Sequence, residues 1–339
     1  MSSNPPKKGL KFYLFTWAGR LIVINLIVFG VMLAFGANLF LPSTDILLKF
    51  GAKDGVSIVQ GEYWRFFTPI FLHIGLIHLA LNMLALRALG AEIEHGIGAF
   101  WFLFIYLAAG IFGNICSALF TVSLSAGASG AIFGLLGAGY VIERRVNQSI
   151  EKMTGRRAPR GAYSGMVFLN VLLGVFIPGI DNAAHMGGLF AGLILTFAML
   201  RLSRNRLQKR RPLMGFSVIM MFFVISFVGF LYATSSGYVA SHAEVVADAS
   251  KENSYAVHLY SEVIELEPYN RRAHFKRGRL LLIDSDRVQA WKDLSLAAED
   301  PALGPGMEAL EEGLRQSGRG GDAQLVRDAL NAVVATRPL

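Results

Sequence analysis

Seven stretches of mostly apolar residues, separated by short polar connections, occupy the chain up to residue 236. A run of about 20 apolar residues is long enough to cross a bilayer as an α-helix. The first stretch, 21–41, contains no charged residue, whereas 129–142 is apolar but short for a complete span. The pattern predicts seven helices, at 21–41, 71–91, 99–122, 129–142, 162–177, 183–200 and 213–236.

The composition supports a membrane protein. Of the 339 residues, 53% are hydrophobic and only 17% are charged, whereas soluble globular domains carry about 25% charged residues. The 36 glycines suit closely packed membrane helices. The single cysteine, Cys116, cannot form an internal disulfide and is expected to be a buried, inert thiol. The predicted fold class is an all-α polytopic membrane protein that ends in a small soluble α-helical domain.

Charge divides the chain into two parts. Residues 1–236 hold 20 Lys/Arg and 8 Asp/Glu, whereas 237–339 hold 12 and 16. The basic residues lie in short clusters between apolar stretches, so membrane orientation explains them better than nucleic-acid binding. With seven spans the clusters fall on one side, which predicts a cytoplasmic N-terminus and an extracytoplasmic C-terminal tail. The clusters are Lys7, Lys8 and Lys11, then Arg144, Arg145, Lys152, Arg156, Arg157 and Arg160, then Arg201, Arg204, Arg206, Lys209, Arg210 and Arg211.

The tail after the last apolar stretch is predicted to form short amphipathic helices. Residues 255–282 consist of two helical patterns separated by a Pro-containing break at 267–270, and 287–299 and 306–317 continue the series. A Gly-rich run at 318–321 is expected to be a loop. This organisation resembles a tetratricopeptide repeat, which implies a protein or peptide partner. The alternative is a small helical cap that binds nothing.

Polar side chains within a membrane are costly, so they mark candidate functional positions. The second apolar stretch contains His73, His78 and Asn82, and the last two share one helix face because they are four residues apart. His73 is expected near the outer mouth. Each of these residues alone also fits an interhelical hydrogen bond or an ion ligand.

Two further positions complete a set that could perform acyl transfer. Ser129 begins one apolar stretch, and His185 lies at the start of another. Small residues follow both, so the two helices can approach closely enough for a nucleophile and its base to meet. Asp181 lies in the outer loop, so a Ser/His dyad is favoured over a triad. These small residues are Gly130 and Gly134 on the first helix, and Gly188 and Gly192 on the second.

An acyl-transfer enzyme also needs donors for the developing oxyanion. Backbone N–H groups in the first turn of a helix have no intrahelical partner, and that of Ser129 is one of them. His78 and Asn82 are candidate side-chain donors from a third helix. No zinc-binding sequence such as HExxH accompanies the histidines, so neither a metal nor a cofactor is predicted.

In these motifs the chain resembles the rhomboid intramembrane serine proteases. The segment 127–130 (GASG) matches the GxSG nucleophile motif of that family, and 184–192 (AHMGGLFAG) matches its AHxxGxxxG helix. The spacing of His73, His78 and Asn82 matches the pattern of its second helix. The resemblance covers about residues 20–200, and further matches are Trp64 and Arg65 in the first outer loop and Glu94 and Gly98 at the end of the second stretch.

The resemblance implies a role for each matching residue. Ser129 would be the nucleophile and His185 the general base, with His78, Asn82 and the Ser129 N–H as the oxyanion hole. Gly127 would permit close approach, and Phe133 stands where the family commonly has a tyrosine packed on the imidazole. The remaining support residues would be His73, Gly130, Gly188 and Gly192, with Trp64 and Arg65 structural in the first loop.

The implied reaction is hydrolysis of a peptide bond in a single-span transmembrane substrate within the lipid bilayer. Small residues at the cleavage site would suit the Gly-lined approach, and water would enter from the outer side past His73, Ser125 and Asp181. The predicted domains are a cytoplasmic tail at 1–19, a rhomboid-like six-helix protease core at 20–201, a basic loop and seventh transmembrane helix at 202–236, and an extracytoplasmic repeat-like tail at 237–339.

Three competing interpretations are open at this point. A catalytically inactive rhomboid-like protein would bind membrane clients without cutting them, although such relatives typically lose the serine or the histidine. A transporter would use the histidines for protons, but the inverted repeats typical of transporters are not evident. An anchor for the tail would not need so many spans. The type of tail favours a bacterial plasma membrane.

Overall fold

The computed structural model describes residues 15–156, 161–176, 180–202, 212–250 and 252–336. The chain divides into two compact units, Met1–Thr234 and Ser235–Leu339. The described residues are helical, with one isolated β-bridge between Lys53 and Ser125 and no β-strand. Several residues of the predicted basic clusters lie outside the described residues, namely Lys7, Lys8, Lys11, Arg157, Arg160, Arg204, Arg206, Lys209, Arg210 and Arg211.

The first unit contains the predicted apolar helices and two short ones. In chain order they are α1 (Trp17–Ala34), α2 (Thr44–Lys49), α3 (Gly55–Val59), α4 (Gly75–Ile97), α5 (Ala99–Phe120), α6 (Ser129–Thr154), α7 (Ala162–Phe176), α8 (Asn182–Leu202) and α9 (Pro212–Ala233).

Among the described residues, five helices are long and apolar enough to cross a membrane: α1, α4, α5, α8 and most of α9. The other two predicted spans, α6 and α7, do not meet these conditions of length and apolar character within the described residues. Helix α7 has only 15 described residues, and the second half of α6 is polar and charged.

Two predicted helix ends differ most from the structure. The first helix was expected to reach residue 41, but α1 ends at Ala34 and Gly36 follows with φ +95°. Asn38 then forms a turn, because its Oδ1 accepts from the N–H groups of Phe40 and Leu41. Helix α6 runs to Thr154 rather than to residue 142 and stops at Gly155, whose φ is +67°. A polar helical extension carries no hydropathy signal, so an apolar pattern ends before the helix does.

Helices α5, α6 and α8 pack against one another at the centre of the first unit, and α9 lies against α5 and α8. Fully buried side chains such as Ile105, Tyr106, Leu135 and Leu195 fill this core. Helix α1 packs on α4, whose Glu94 accepts hydrogen bonds from the N–H groups of Trp17 (2.9 Å) and Ala18 (3.0 Å). These amides have no intrahelical partner, so Glu94 caps a neighbouring helix.

The loop between α1 and α4 is compact. It contains α2, α3 and two 3₁₀ turns, Tyr63–Phe66 and Thr68–Phe71. Arg65 is buried, and its Nη1 donates to the carbonyl oxygens of Leu48 and Ala52, both at 2.9 Å. Trp64 beside it is exposed. Arg65 therefore holds the loop together, whereas Trp64 lies at its surface.

The second unit consists of six helices packed largely against their neighbours in sequence: α10 (Ser236–Ala249), α11 (Asn253–Leu266), α12 (Arg271–Ile283), α13 (Arg287–Ala297), α14 (Gly304–Gln316) and α15 (Gly320–Thr336). The break at 267–270 separates α11 from α12 as the pattern indicates. The pattern missed α10 and α15, and the loop expected at 318–321 is shorter, because α15 begins at Gly320. The repeat assignment of this tail stays a prediction.

A buried charge cluster joins α12 to α13. Arg277 donates from Nε (2.7 Å) and Nη2 (2.8 Å) to the carboxylate of Asp293, and His274 Nδ1 lies 2.9 Å from the same carboxylate. Burial by itself would raise the pKa of Asp293, but the hydrogen bonds from Arg277 and His274 outweigh it and leave the pKa below its usual value. The charged form of this carboxylate therefore stabilises the folded tail.

Replacing Asp293 with asparagine should destabilise the tail by about 3–5 kcal/mol, since it leaves a buried guanidinium without its counter-ion. Hydrogen exchange of the α12 and α13 amides in the full-length protein measures this. Asp328→Asn is the matched control, because Asp328 is exposed and accepts only from Gln324, and it should change stability by less than about 0.5 kcal/mol.

The same cluster predicts a pH dependence. Because the folded-state pKa of Asp293 is depressed, its contribution is complete above the unfolded pKa of about 4 and is lost as the pH falls below that value. Protection of α12 and α13 should therefore drop below about pH 4 in the wild type and change less in Asp293→Asn. Equal acid sensitivity in both proteins would contradict this role for Asp293.

Candidate active site

Ser129 is the first residue of α6 and is half-buried. The preceding loop reaches it through Gly127, whose φ is +145° and whose N–H donates to the carbonyl oxygen of Pro69 at 2.9 Å. A side chain is rarely compatible with that backbone conformation, which explains glycine at this position. The start of α6 thus holds a hydroxyl beside backbone N–H groups that have no intrahelical partner.

His78 lies directly against this turn. A Cβ added at Gly127 would be 2.7 Å from His78 Cε1, 2.9 Å from His78 Nε2 and 3.6 Å from Ser129 Oγ. The imidazole edge therefore occupies the space of a side chain at residue 127, and the serine hydroxyl lies at van der Waals distance from that space. His78 Nδ1 accepts a long hydrogen bond, 3.4 Å, from the N–H of Ile74. That bond leaves the proton on Nε2, the ring nitrogen nearer to Gly127.

His73 and Asn82 support His78 from two sides. The rings of His73 and His78 meet edge to face with centroids 5.4 Å apart. Asn82 is buried one turn along α4, and its Nδ2 donates to the carbonyl oxygen of His78 at 2.9 Å. In this structure the amide of Asn82 is thus bonded to its own helix rather than directed at Ser129.

His185 lies in the first turn of α8 and stacks on Phe133 of α6, with centroids 4.1 Å apart and rings inclined by 15°. Phe133 is one turn after Ser129, so the imidazole is held against the helix that begins with the serine. His185 Nδ1 is buried and has no hydrogen-bond partner within the described part of the chain.

Asp181 does not bond to this imidazole. Its Oδ1 accepts from the N–H of Ala184 at 2.9 Å and its Oδ2 accepts from Ser117 Oγ at 2.5 Å. The carboxylate therefore caps the start of α8 instead of orienting His185.

The expected water entrance is wrong in part. His73 is completely buried, and Ser125 is buried in the bridge to Lys53. Ser125 pairs with Lys53 of the loop between α1 and α4, a tertiary contact that a helix-mouth assignment from sequence does not include. Asp181, the third residue assigned to the entrance, is half-buried and engaged in capping.

The glycines bring α6 and α8 into backbone contact. A Cβ at Gly188 would lie 2.0 Å from the carbonyl oxygen of Gly130, and one at Gly192 would lie 1.9 Å from that of Gly134. Neither position has room for any other residue. This approach brings the helix that starts with Ser129 beside the helix that carries His185.

Comparison with known proteins agrees with this arrangement. Residues 60–202 match the model of the rhomboid domain. The chain is 35% identical over 288 residues to rhomboid protease GluP of Bacillus subtilis, which covers 85% of this chain and 53% of GluP. It is 40% identical over 161 residues to RHOMBOID-like protein 6, mitochondrial, of Arabidopsis thaliana, which covers 47% of this chain and 51% of that protein.

The chain thus spans about half the length of the curated relatives it matches. The matched domain includes α4, α5, α6 and α8 and therefore every residue of the candidate site. With five helices long and apolar enough to cross a membrane, the prediction of an all-α polytopic membrane protein is confirmed. The chain carries a rhomboid domain at residues 60–202.

Proposed function

We propose that the protein is an intramembrane serine endopeptidase with Ser129 as nucleophile and His185 as general base. The observation that carries the proposal is the stack of His185 on Phe133, with centroids 4.1 Å apart, one turn from Ser129. A serine hydroxyl becomes an effective nucleophile only beside a base. The close approach of α6 and α8 supports such a pair inside a membrane domain.

The reaction follows from these positions. Ser129 Oγ attacks the peptide carbonyl while His185 removes its proton, and the protonated imidazole then donates to the leaving amine. Water hydrolyses the acyl-enzyme in a second step with the same base. Developing negative charge on the carbonyl oxygen would be stabilised by the Ser129 N–H and by His78 Nε2–H. Asn82 would join them by releasing the carbonyl oxygen of His78.

The substrate proposed is a membrane protein with a single transmembrane helix, cut at small residues. His78 lies where a side chain at Gly127 would stand and so packs close to Ser129, and a small substrate residue needs least additional room there. The lipid bilayer is the second partner, because large apolar side chains such as Phe216, Phe223 and Phe227 are exposed along α9.

The proposed location is a bacterial plasma membrane, with the N-terminus cytoplasmic and the tail outside. Arg144, Arg145 and Lys152 lie together on the polar end of α6, which supports that end facing the cytoplasm. For the tail we propose a peptide partner. A cavity of about 540 Å³ in the second unit, lined among others by Tyr260, Arg279 and Leu310, is the feature that supports it.

The test of the proposed function is cleavage in liposomes. The purified full-length protein is reconstituted with a single-span substrate labelled at both ends, and the products are identified by mass spectrometry. We expect one or a few cuts at small residues in or near the transmembrane segment, blocked by a fluorophosphonate that labels Ser129. Binding of inserted substrates without any cutting or labelling would instead indicate an inactive client-binding protein.

Phe133, whose ring stacks on His185, is expected to have a moderate effect on kcat. Phe133→Leu should lower kcat about threefold to tenfold, because an aromatic pair contributes about 0.5–1.5 kcal/mol beyond its buried area. Phe133→Tyr keeps the ring and should retain nearly full activity. Initial cleavage rates in the same liposomes measure both variants, and equal activity of the leucine variant would show that the stack does not orient the base.

A further inference from the structure

A chain of polar side chains, of which Lys53 and Ser117 are buried and Thr121 and Asp181 half-buried, connects the loop before Ser129 with the start of the helix that carries His185. It begins at a lysine in the loop between α1 and α4 and ends at the carboxylate that caps α8. The buried network, as it is called below, consists of Lys53, Thr121, Ser117 and Asp181.

At one end, Lys53 is 0% exposed. Its Nζ donates to the carbonyl oxygens of Ser123 (2.6 Å) and Thr121 (3.2 Å) and to Thr121 Oγ1 (3.3 Å). An ammonium has three N–H donors, and these contacts match all three. The backbone of Lys53 also exchanges hydrogen bonds with Ser125, 2.8 and 3.1 Å. The lysine thus holds the segment that leads to Ser129 by both its side chain and its backbone.

At the other end, the hydroxyls of Thr121 and Ser117 lie 3.3 Å apart, and Ser117 Oγ donates to Asp181 Oδ2 at 2.5 Å. Asp181 Oδ1 accepts from the N–H of Ala184, and its carbonyl oxygen accepts from the N–H of His185 at 3.1 Å. Thr121 Oγ1 also donates to the carbonyl oxygen of Ser117 at 3.1 Å, so the Thr121 hydroxyl links the ammonium of Lys53 to Ser117, and Ser117 bonds to the carboxylate. Loss of the Thr121 hydroxyl would leave Lys53 without one acceptor and Ser117 without this contact to the lysine.

We infer that the buried network is a positioning device that holds Ser129 and His185 in one geometry. This inference rests on the proposed function, since it assigns a purpose to the alignment of those two residues. None of the four side chains is assigned to the reacting atoms. A buried lysine is costly unless every donor is paired. Here the ammonium of Lys53 bonds to the loop that leads to Ser129. The hydroxyls of Thr121 and Ser117 then connect it to Asp181, which caps the helix that carries His185.

The decisive variant is Thr121→Val, which removes the linking hydroxyl and keeps the shape of the side chain. We expect kcat to fall about tenfold to a hundredfold, because small misplacements of reacting groups have effects of that size. KM should change by less than about threefold, since substrate contacts are untouched. Thr121→Ser restores the hydroxyl and should recover activity to within about threefold of the wild type.

The matched control is Thr196→Val. Thr196 lies on α8 and is completely buried, whereas Thr121 is half-buried, and the Thr196 hydroxyl has no hydrogen-bond partner among the described residues. The same substitution there should leave kcat unchanged. Equal kcat in Thr121→Val and Thr196→Val would overturn the inference, as would a loss of activity in Thr121→Val that Thr121→Ser does not restore.

Hydrogen exchange of the full-length protein provides a readout independent of activity. In Thr121→Val, amides of residues 121–128 and 181–186 should both exchange faster than in the wild type, while those of α15 stay unchanged. Faster exchange in 121–128 alone would show that the two ends are not coupled and would refute the network. If the wild type neither cuts nor is labelled but both segments respond together, the proposed function fails and the coupling stands.

Discussion

Replacing Ser129 with alanine is expected to abolish cleavage of a membrane-inserted substrate, with kcat reduced by at least about 10⁴-fold. The alanine leaves the N–H at the start of α6 in place, so the donors for the oxyanion persist while the attacking atom is lost. Substrate affinity should therefore change little. Product formation in liposomes, followed over hours by gel and mass spectrometry, measures the residual rate.

We expect activity to depend equally on His185, the proposed base. His185→Ala should give a loss of similar size, and the double variant should be barely worse than either single one, because a nucleophile and its base act as a unit. Ser226→Ala is the matched control, since Ser226 lies on α9 and its hydroxyl only donates to the carbonyl oxygen of Phe222. Cleavage that persists in Ser129→Ala at the wild-type rate would mean that another residue is the nucleophile.

Substituting Gly188 or Gly192 with valine is expected to destroy the packing of α6 against α8. A Cβ at these positions would lie 2.0 and 1.9 Å from the carbonyl oxygens of Gly130 and Gly134. The obstacle is backbone, which cannot move aside as a flexible side chain would, so the helices must separate. We expect destabilisation of more than about 4 kcal/mol, the range reached by severe overpacking, together with loss of activity.

Thermal unfolding in detergent and the yield of monodisperse protein measure this effect. Gly30→Ala on α1 is a suitable control, because a Cβ there meets no atom within 4 Å. It should be neutral or should stabilise by up to about 1 kcal/mol through higher helix propensity. A stable, active Gly192→Val protein would contradict the close approach of the two helices.

The apolar stretches and their polar interruptions carried much of the information about this protein. A long apolar run has few structural alternatives, since a membrane helix must satisfy its own backbone groups. That constraint predicts α5 and α8 to within two residues at each end, whereas α4 begins four residues and ends six residues later than predicted. The same constraint made Ser129, His78 and His185 conspicuous, because polar groups in an apolar background are costly and therefore informative.

The ends of the helices were harder to predict from the sequence than their positions. The polar extension of α6 to Thr154 and the early end of α1 at Ala34 depend on local backbone conformation at Gly155 and Gly36. Hydropathy does not report that conformation. The tail was similar: its amphipathic pattern predicted α11 and α12, but α10 and α15 became visible only as helices packed on their neighbours.

Contacts between distant residues were decided by the tertiary structure alone. A lysine in a loop is normally exposed, so nothing in the sequence indicated that Lys53 would be buried with its donors on residues 121–123. Asp181 was likewise assigned to water rather than to the cap of α8. The sequence by itself determined which residue types stand in the membrane and on which helices. The fold decided which of them meet, because hydrogen bonds and ring contacts across 52 to 77 positions of chain depend on how helices and loops pack.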